Sequence, residues 1–427
     1  MEKLIIHNFL TIRSAEIDVR RFNIFIGPQA SGKSIIVKLL YFFKAEFSKV
    51  IKEVARKKQG INDMENYLKS QFERIFPRTY WNTQIFDISY SYDEFTLSIN
   101  TKTSNHHEID WSIFFSEKIH LFLDDINKKY EQTLREGEKK GKLISLSTFG
   151  NSYEYFDEFY DEYIRKYDYS KYFKIQVFIP ANRTFFVSLQ KNIFSILNKG
   201  IGIDFFLVNF GSTFEQAKHF LATDIFLDKD FNDLVIPIMR RIISGEYLDE
   251  GGEDWIVNTT GKINLMHASS GQQESLPMLL VLCILPKVIE RIKAGFFIEE
   301  PEAHLYPDAQ NDIISLLALI LNKTNHQFFI TTHSPYLLTA LNNCILAHET
   351  YEAADEAGKQ KVLTIMPEHQ HIAFEDVAAW TVTEKGTIKS ILDQEAKIIG
   401  ASILDGVSQH FETVTNELLD ILYGDQS

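Results

Sequence analysis

The sequence predicts an α/β fold: a mixed sheet built around a phosphate-binding loop, with an antiparallel β subdomain, a helical insertion and a small C-terminal extension. Three observations carry that reading. Gly27-Pro28-Gln29-Ala30-Ser31-Gly32-Lys33-Ser34 fits G-x-x-x-x-G-K-[ST] without a mismatch, between an apolar strand-like run and a helical pattern. From Thr83 to Trp111 the apolar period changes to two, as in antiparallel strands. Beyond Gln272, helical and strand patterns alternate.

Taken in order, Lys3–His7, Ala15–Val19 and Asn23–Ile26 read as strands, the last entering the phosphate loop. Lys44 to Phe76 reads as a helix pair broken at Gln59-Gly60. Ile85–Tyr90 and Phe95–Ile99 form strands joined at Asp93-Glu94. Residues 113–168, charged and rich in tyrosine, read as a helical insertion projecting from the core, with a break near Gly137–Gly141. Phe173–Ile179 is a strand, and 187–243 are mostly helical. Glu246–Leu248, Trp255–Asn258 and Ile263–His267 are short strands between glycine turns. A helix over Gln272–Lys293, a strand at Phe296–Ile298, a helix over Asp308–Leu321, a strand at Gln327–Thr331 and a helix over Ser334–Asn342 follow. The tail carries strands at Val362–Met366 and Ala378–Val382 and a final amphipathic helix over 408–423. The expected units are an N-terminal lobe (1–112), the insertion (113–168), a C-terminal lobe (169–345) and the extension (346–427).

Composition narrows the partners. A net charge of -14 argues against a broadly basic nucleic-acid surface, the basic stretches being Arg56-Lys57-Lys58 and Lys139-Lys140-Gly141-Lys142. Two cysteines, Cys283 and Cys344, point to a reducing compartment without a disulfide framework. Met1-Glu2-Lys3-Leu4 leads straight into a strand pattern rather than a signal peptide. The longest apolar run, Leu276 to Leu285, is too short to span a bilayer. The expectation is a cytoplasmic protein with no membrane partner.

The chemistry concentrates at four places. In the Gly27–Ser34 loop, backbone N–H groups and a helix N-terminus surround phosphates, Lys33 reaches the β- and γ-phosphates, and Ser34 offers a hydroxyl to Mg2+. Phe296-Phe297-Ile298-Glu299-Glu300 is an apolar strand ending in two carboxylates, where Glu299 is expected to hold the metal and Glu300 to orient and deprotonate the attacking water. Phe328–Ser334 is another apolar strand, and His333 at its end is placed to sense the γ-phosphate or that water. Ser269-Ser270-Gly271-Gln272 opens a long helix and presents hydroxyls and free N–H groups, a second anion site or simply a good N-cap.

With these elements in this order, the chain resembles the ATPase heads of the ABC superfamily, in the SMC/RecF and OLD branch. The resemblance makes Gly27–Ser34 the Walker A motif, Ser269–Gln272 the signature, Phe296–Glu300 Walker B with its catalytic glutamate, and His333 the switch histidine. Glu299–Pro307, Pro180-Ala181-Asn182-Arg183 and Thr332-His333-Ser334-Pro335 are especially similar to OLD-type ATPases. The Q-loop glutamine is not fixed by spacing: Gln176 is a candidate, and the Pro180–Arg183 turn stands in the same region. No Asp-x-Asp follows His333, since Asp228-Lys229-Asp230 lies ahead of the signature, so a Toprim nuclease domain is not expected.

The resemblance implies ATP and Mg2+ as ligands and a composite site, with ATP on one copy closed by Ser269–Gly271 of another. The expected protein is thus an ATP-gated homodimer or higher oligomer, with a separately encoded effector in anti-phage or plasmid defence. The alternative is a RecF-like ATPase that clamps DNA, which the acidic balance disfavours. Asp376, Trp380 and the final helix are expected to pack or to mediate assembly.

Overall fold

The computed structural model describes residues 1–103, 109–139, 152–189, 204–223, 229–290 and 293–400. The expected final helix at 408–423 and the Gly137–Gly141 break (from residue 140) lie outside the described residues, as does Asp228.

The N-terminal strands are β1 (Glu2–Phe9), β2 (Ile12–Val19) and β3 (Phe22–Ile26), followed later by β4 (Asp87–Tyr92), β5 (Phe95–Thr103) and β6 (Ile109–Phe115). All but β3 form one antiparallel sheet in the order β2-β1-β4-β5-β6. The alternation of buried Leu4 and Ile6 with the partly exposed Lys3 and Ile5 and the exposed His7 on β1 buries one face and leaves the other partly wet, which fixes the register. The period-two pattern extends to Phe115, so the helical insertion starts at Glu117 rather than 113.

Further along come β7 (Ile175–Ile179), β8 (Glu246–Glu250), β9 (Glu253–Asn258), β10 (Gly261–Asn264), β11 (Ala294–Glu299), β12 (Gln327–Thr332), β13 (Val377–Val382) and β14 (Ile388–Ser390). A six-stranded sheet has the order β14-β13-β3-β12-β11-β7, parallel except for β14. β3, β11 and β12 are buried at every residue, as befits central parallel strands covered on both faces. Successive residues serve opposite cores. Phe22, Ile24, Phe296, Ile298, Phe328 and Ile330 join a core with the helices Lys229–Ile243, Ser270–Val288, Pro307–Lys323 and Pro335–Ala353. Phe25, Phe297 and Phe329 join the helix Lys33–Tyr41 and the antiparallel sheet in a second, aromatic core. There Phe297 stacks on Phe329 with centroids 4.3 Å apart. The layers are therefore helices, parallel sheet, phosphate-loop helix and antiparallel sheet.

Several elements differ from expectation. The insertion helices Glu117–Lys139 and Ser152–Lys166 do not project: Phe122, Ile126, Phe156 and Tyr160 join the second core beside Phe47 and Val54. Val362–Ile365 is the end of a helix, Glu356–Ile365, not a strand. Asp355 caps that helix by accepting from the Gly358 N–H at 2.8 Å, a start signal the short apolar run concealed. Ile263–His267 ends as a strand at Asn264 and continues as a 3-10 turn. The Ser334 helix runs on to Ala353, and the helix expected over Gln272–Lys293 spans Ser270–Val288. Residues 346–427, read from sequence as an extension, supply β13, which lies beside β3 in the central sheet. Trp380 sits in that strand, and Asp376 is held by Arg21 at 2.6 Å, so both pack.

The chain from the phosphate loop to Arg56 is continuous helix through a π-helical turn, Phe42–Glu46. That turn brings the Lys44 ammonium to Glu2 at 2.6 Å, with both side chains buried. The Tyr90 hydroxyl also donates to Glu2, at 2.9 Å.

Candidate functional site

Three of the four chemical segments, and the Pro180–Arg183 turn, follow strands of one parallel sheet. The phosphate loop leaves β3, Pro180–Arg183 leaves β7, Glu300 follows β11, and His333 follows β12. The register pairs Ile26 with Thr332, Thr331 with Glu299, and Ile298 with Ile179, so these ends are level. The carboxyl edge of such a sheet is where ligands bind.

Two glycines shape the loop by proximity. A Cβ on Gly27 would lie 2.4 Å from the Val382 carbonyl oxygen, and one on Gly32 2.4 Å from Ile12 Cδ1. Gly32 also has φ +107°, and its carbonyl accepts the N–H groups of Ile35 (3.0 Å) and Ile36 (3.2 Å) to start the helix. Ala30 sits at φ +60°. Pro28, Gln29, Ala30 and Ser34 are exposed, whereas Ser31 is buried with its hydroxyl unpartnered. Lys33 is buried at the base, and its Nζ donates to the carbonyls of Gly27 and Pro28, both at 2.8 Å.

Lys33, His333 and Glu300 are brought together. Lys33 Nζ is 3.5 Å from His333 Nδ1, and His333 Nε2 is 3.4 Å from Glu300 Oε1. An ammonium only donates, so a hydrogen bond from Lys33 to Nδ1 requires a ring that accepts there and turns Nε2 toward Glu300. Burial lowers the Lys33 pKa, and the nearby carboxylates of Glu300 and Glu302 oppose that shift. Glu300 has φ +45°, an uncommon backbone state for a residue with a side chain.

Glu302 takes a role that motif matching did not assign. Its Oε1 accepts from Thr332 Oγ1 at 2.7 Å and from the His333 N–H at 2.8 Å, which ties the β11 and β12 ends together. Arg183 is the other missed residue, fully buried beneath the same edge. Its guanidinium donates to the carbonyls of Pro180 (2.8 Å), Glu299 (2.8 Å), Glu300 (3.1 Å) and Glu274 (2.8 Å). Nothing local in Pro180-Ala181-Asn182-Arg183 announces this, because the partners lie on two other segments.

Gln176, a candidate for the Q-loop, does not reach this edge. It pairs with Gly295 near the start of β11, about 10 Å back along the strand from Ile179. Its amide donates to the Lys174 carbonyl. The Pro180–Arg183 turn occupies the strand end instead.

Ser269–Gln272 stand at the first turn of the Ser270–Val288 helix. Ser269 is the N-cap, accepting from the Gln272 N–H, while the Gln272 side chain accepts from the Ser269 N–H and donates to the Ile243 carbonyl. Their hydrogen bonds thus run within the cap and to Ile243, not to the phosphate loop. Ser269 and Ser270 are exposed. A Cβ on Gly271 would come 2.7 Å from the His304 carbonyl oxygen, so this glycine lets the helix end approach the turn after Glu300.

The residues fit a magnesium nucleotide. Glu299 is buried, with Oε1 unpartnered and Oε2 3.5 Å from the Ala181 N–H, and Glu302 Oε2 is also buried without a partner. Orphaned carboxylate oxygens and a hydroxyl form the hard oxygen donor set that Mg2+ prefers. Among the described residues no cluster of three or more histidine, cysteine or acidic side chains forms a metal site on its own, which is ordinary for an ion held mainly by phosphates.

A parallel sheet carrying a phosphate loop, paired carboxylates and a histidine on consecutive strand ends, flanked by an antiparallel subdomain, is the arrangement of a P-loop ATPase. The sequence model of the AAA ATPase domain matches residues 1–338, and the chain belongs to that family. No functionally curated protein matches it. Among solved structures it is similar to the SMC head domain from Thermotoga maritima, at 14% identity and TM-score 0.32, over 79% of this chain and 90% of that one. It is also similar to an Smc head domain with an extended coiled coil, bound to the C-terminal domain of ScpA, from Pyrococcus furiosus (12% identity, TM-score 0.38, 96% and 100% covered). A third is the recombination mediator RecF, at 10% identity and TM-score 0.29, over 91% and 97%. Among the described residues no helix is long and apolar enough to cross a membrane.

Proposed function

We propose that this chain is a Mg2+-dependent ATPase in which nucleotide state gates self-association. The observation that supports it most is the contiguous run Lys33–His333–Glu300, in which a phosphate-binding ammonium, a sensing imidazole and a candidate base are in sequence. The Gly27–Ser34 amides and Lys33 bind the polyphosphate. Ser34 and Glu299 are the residues that hold Mg2+, which when bound neutralises phosphate charge. Glu300 accepts the proton of the attacking water, and His333 Nε2–H steadies its carboxylate.

The exposed first turn at Ser269–Gly271 lies outside this run and supports a trans role: it meets the nucleotide bound on a second copy. A helix N-terminus gains most from a polyphosphate that brings the charge with it. The OLD-like runs at Pro180–Arg183, Glu299–Pro307 and Thr332–Pro335 support an output through a separately encoded effector, in anti-phage or plasmid defence. The net charge of -14 counts against DNA as the main partner.

Glu300→Gln tests this reading, because it keeps shape and removes the base. Turnover is expected to fall by about 10²–10⁴-fold, and size-exclusion chromatography with light scattering in ATP and Mg2+ is expected to show a persistent larger assembly. Lys33→Ala is expected to abolish both ATP binding and that assembly. Full turnover with an unchanged oligomer in Glu300→Gln would overturn the proposal.

A further inference from the structure

Among the described residues Arg183 is the largest charged side chain buried without any exposure, and burial disfavours its charge. Such a group persists only where its donors are met, and here they are met by one functional edge. Nη1 donates to the Pro180 and Glu299 carbonyls, Nη2 to the Glu300 carbonyl, and Nε to the Glu274 carbonyl. The Glu274 carboxylate completes the arrangement. It lies 3.5 Å from Arg183 Nη2 and accepts the backbone N–H groups of Arg183 and Thr184, each at 2.9 Å. One ion pair therefore ties the β7 end, the β11 end and the N-terminal part of the Ser270–Val288 helix.

Two of the four carbonyls held, those of Glu299 and Glu300, belong to the residues whose side chains face the chemistry. Glu300 is at φ +45°, a state a non-glycine residue keeps only when its surroundings impose it. The Glu300 N–H is fixed on the Thr331 carbonyl at 3.0 Å, and its carbonyl on Arg183 at 3.1 Å. Both peptide flanks of Glu300 are thus pinned, and the side chain meets His333.

We propose that Arg183, anchored by Glu274, is a positioning residue for ATP hydrolysis that holds the backbone of Glu299 and Glu300 in its working conformation. The inference rests on the ATPase reading above. It also gives the signature turn and the Glu300 edge a shared buried anchor, so a load on one is felt at the other.

The test is Arg183→Lys in the full chain, which keeps the charge but cannot serve four carbonyls. Glu274→Gln is the second variant, used to the same end if the first fails to fold. Expected are a kcat lower by about a hundredfold, a fluorescent-ATP Kd within about threefold of wild type, and faster amide hydrogen exchange in the peptide spanning 299–304. Exchange in the phosphate-loop helix is expected to stay unchanged. Wild-type kcat with wild-type exchange would overturn the inference. So would equal losses of ATP affinity and turnover, since that is what simple structural damage gives. A wild-type chain that binds ATP but never turns it over would overturn the ATPase reading and this inference with it, and the wild-type measurement in the same series tells the two failures apart.

Discussion

Gly32→Ala tests the geometry of the phosphate loop most directly. The glycine sits at φ +107°, and a non-glycine residue in such a region costs about 1–3 kcal/mol. The added Cβ would lie 2.4 Å from Ile12 Cδ1 and 2.8 Å from Thr11 Oγ1, against a fully buried isoleucine. Overpacking of that kind costs about 1–3 kcal/mol. A combined loss of about 3 kcal/mol lowers Tm by about 3 °C in a chain of this size. ATP affinity should fall by about tenfold, because the Gly32 carbonyl starts the Lys33–Tyr41 helix whose N-terminus is proposed to meet the phosphates. Gly60→Ala is the control: Gly60 has φ -101°, and a Cβ there would meet nothing within 4 Å. Its stability should stay within about 1 kcal/mol of wild type. Adding Ile12→Val to Gly32→Ala removes the clashing methyl and should recover part of the loss, although Ile12→Val alone costs about 1 kcal/mol. Differential scanning fluorimetry and fluorescent-ATP titration read these effects. Wild-type Tm and affinity in Gly32→Ala would refute the reasoning.

Two further predictions concern stability. Burial brings the Lys174 pKa down to about 8, with the Lys44 charge adding to the shift and Glu2 opposing it. Below that pH the folded chain carries a penalised ammonium. Stability should therefore rise between about pH 8 and 10.5 as the folded protein sheds a proton that the unfolded chain keeps. Lys174→Met should stabilise by about 1–2 kcal/mol at pH 7, and thermal melts should show the gain shrinking toward pH 10. Lys44→Met leaves the buried Glu2 carboxylate unpaired and should cost about 3–5 kcal/mol in urea titrations. The pair holds the Glu2 pKa down against its burial, so wild type should lose that stability as pH falls through the carboxylate range. Glu2→Gln added to Lys44→Met should recover most of the loss, and no recovery would count against the ion pair as the cause.

Much of the site was legible in the sequence because its parts are local. A phosphate loop needs glycines and a lysine at fixed spacing between a strand and a helix, and that spacing survives in one dimension. Glu299, Glu300 and His333 were legible for the same reason, each closing an apolar run. Arg183 was not, although its tetrapeptide stood out, because its partners Glu274 and Glu299 lie 91 and 116 residues away. Gln176 misled, since strand position rather than residue type decides which end of β7 a side chain occupies. Val362–Ile365 misled because a short apolar run reads equally as strand or helix until a cap such as Asp355 is weighed.

The sequence by itself determined that this chain carries an ATP-type phosphate loop, paired carboxylates and a histidine, all on strand ends. Those features are set by short-range stereochemistry and by the apolar runs that bury each strand. Tertiary structure alone decided that β13, from beyond residue 346, lies beside β3. It also decided that Lys33, His333 and Glu300 meet, and that one buried arginine holds the peptide of Glu300. These depend on hydrogen bonds between distant segments, whose partners are fixed only when the sheet order brings the strand ends level.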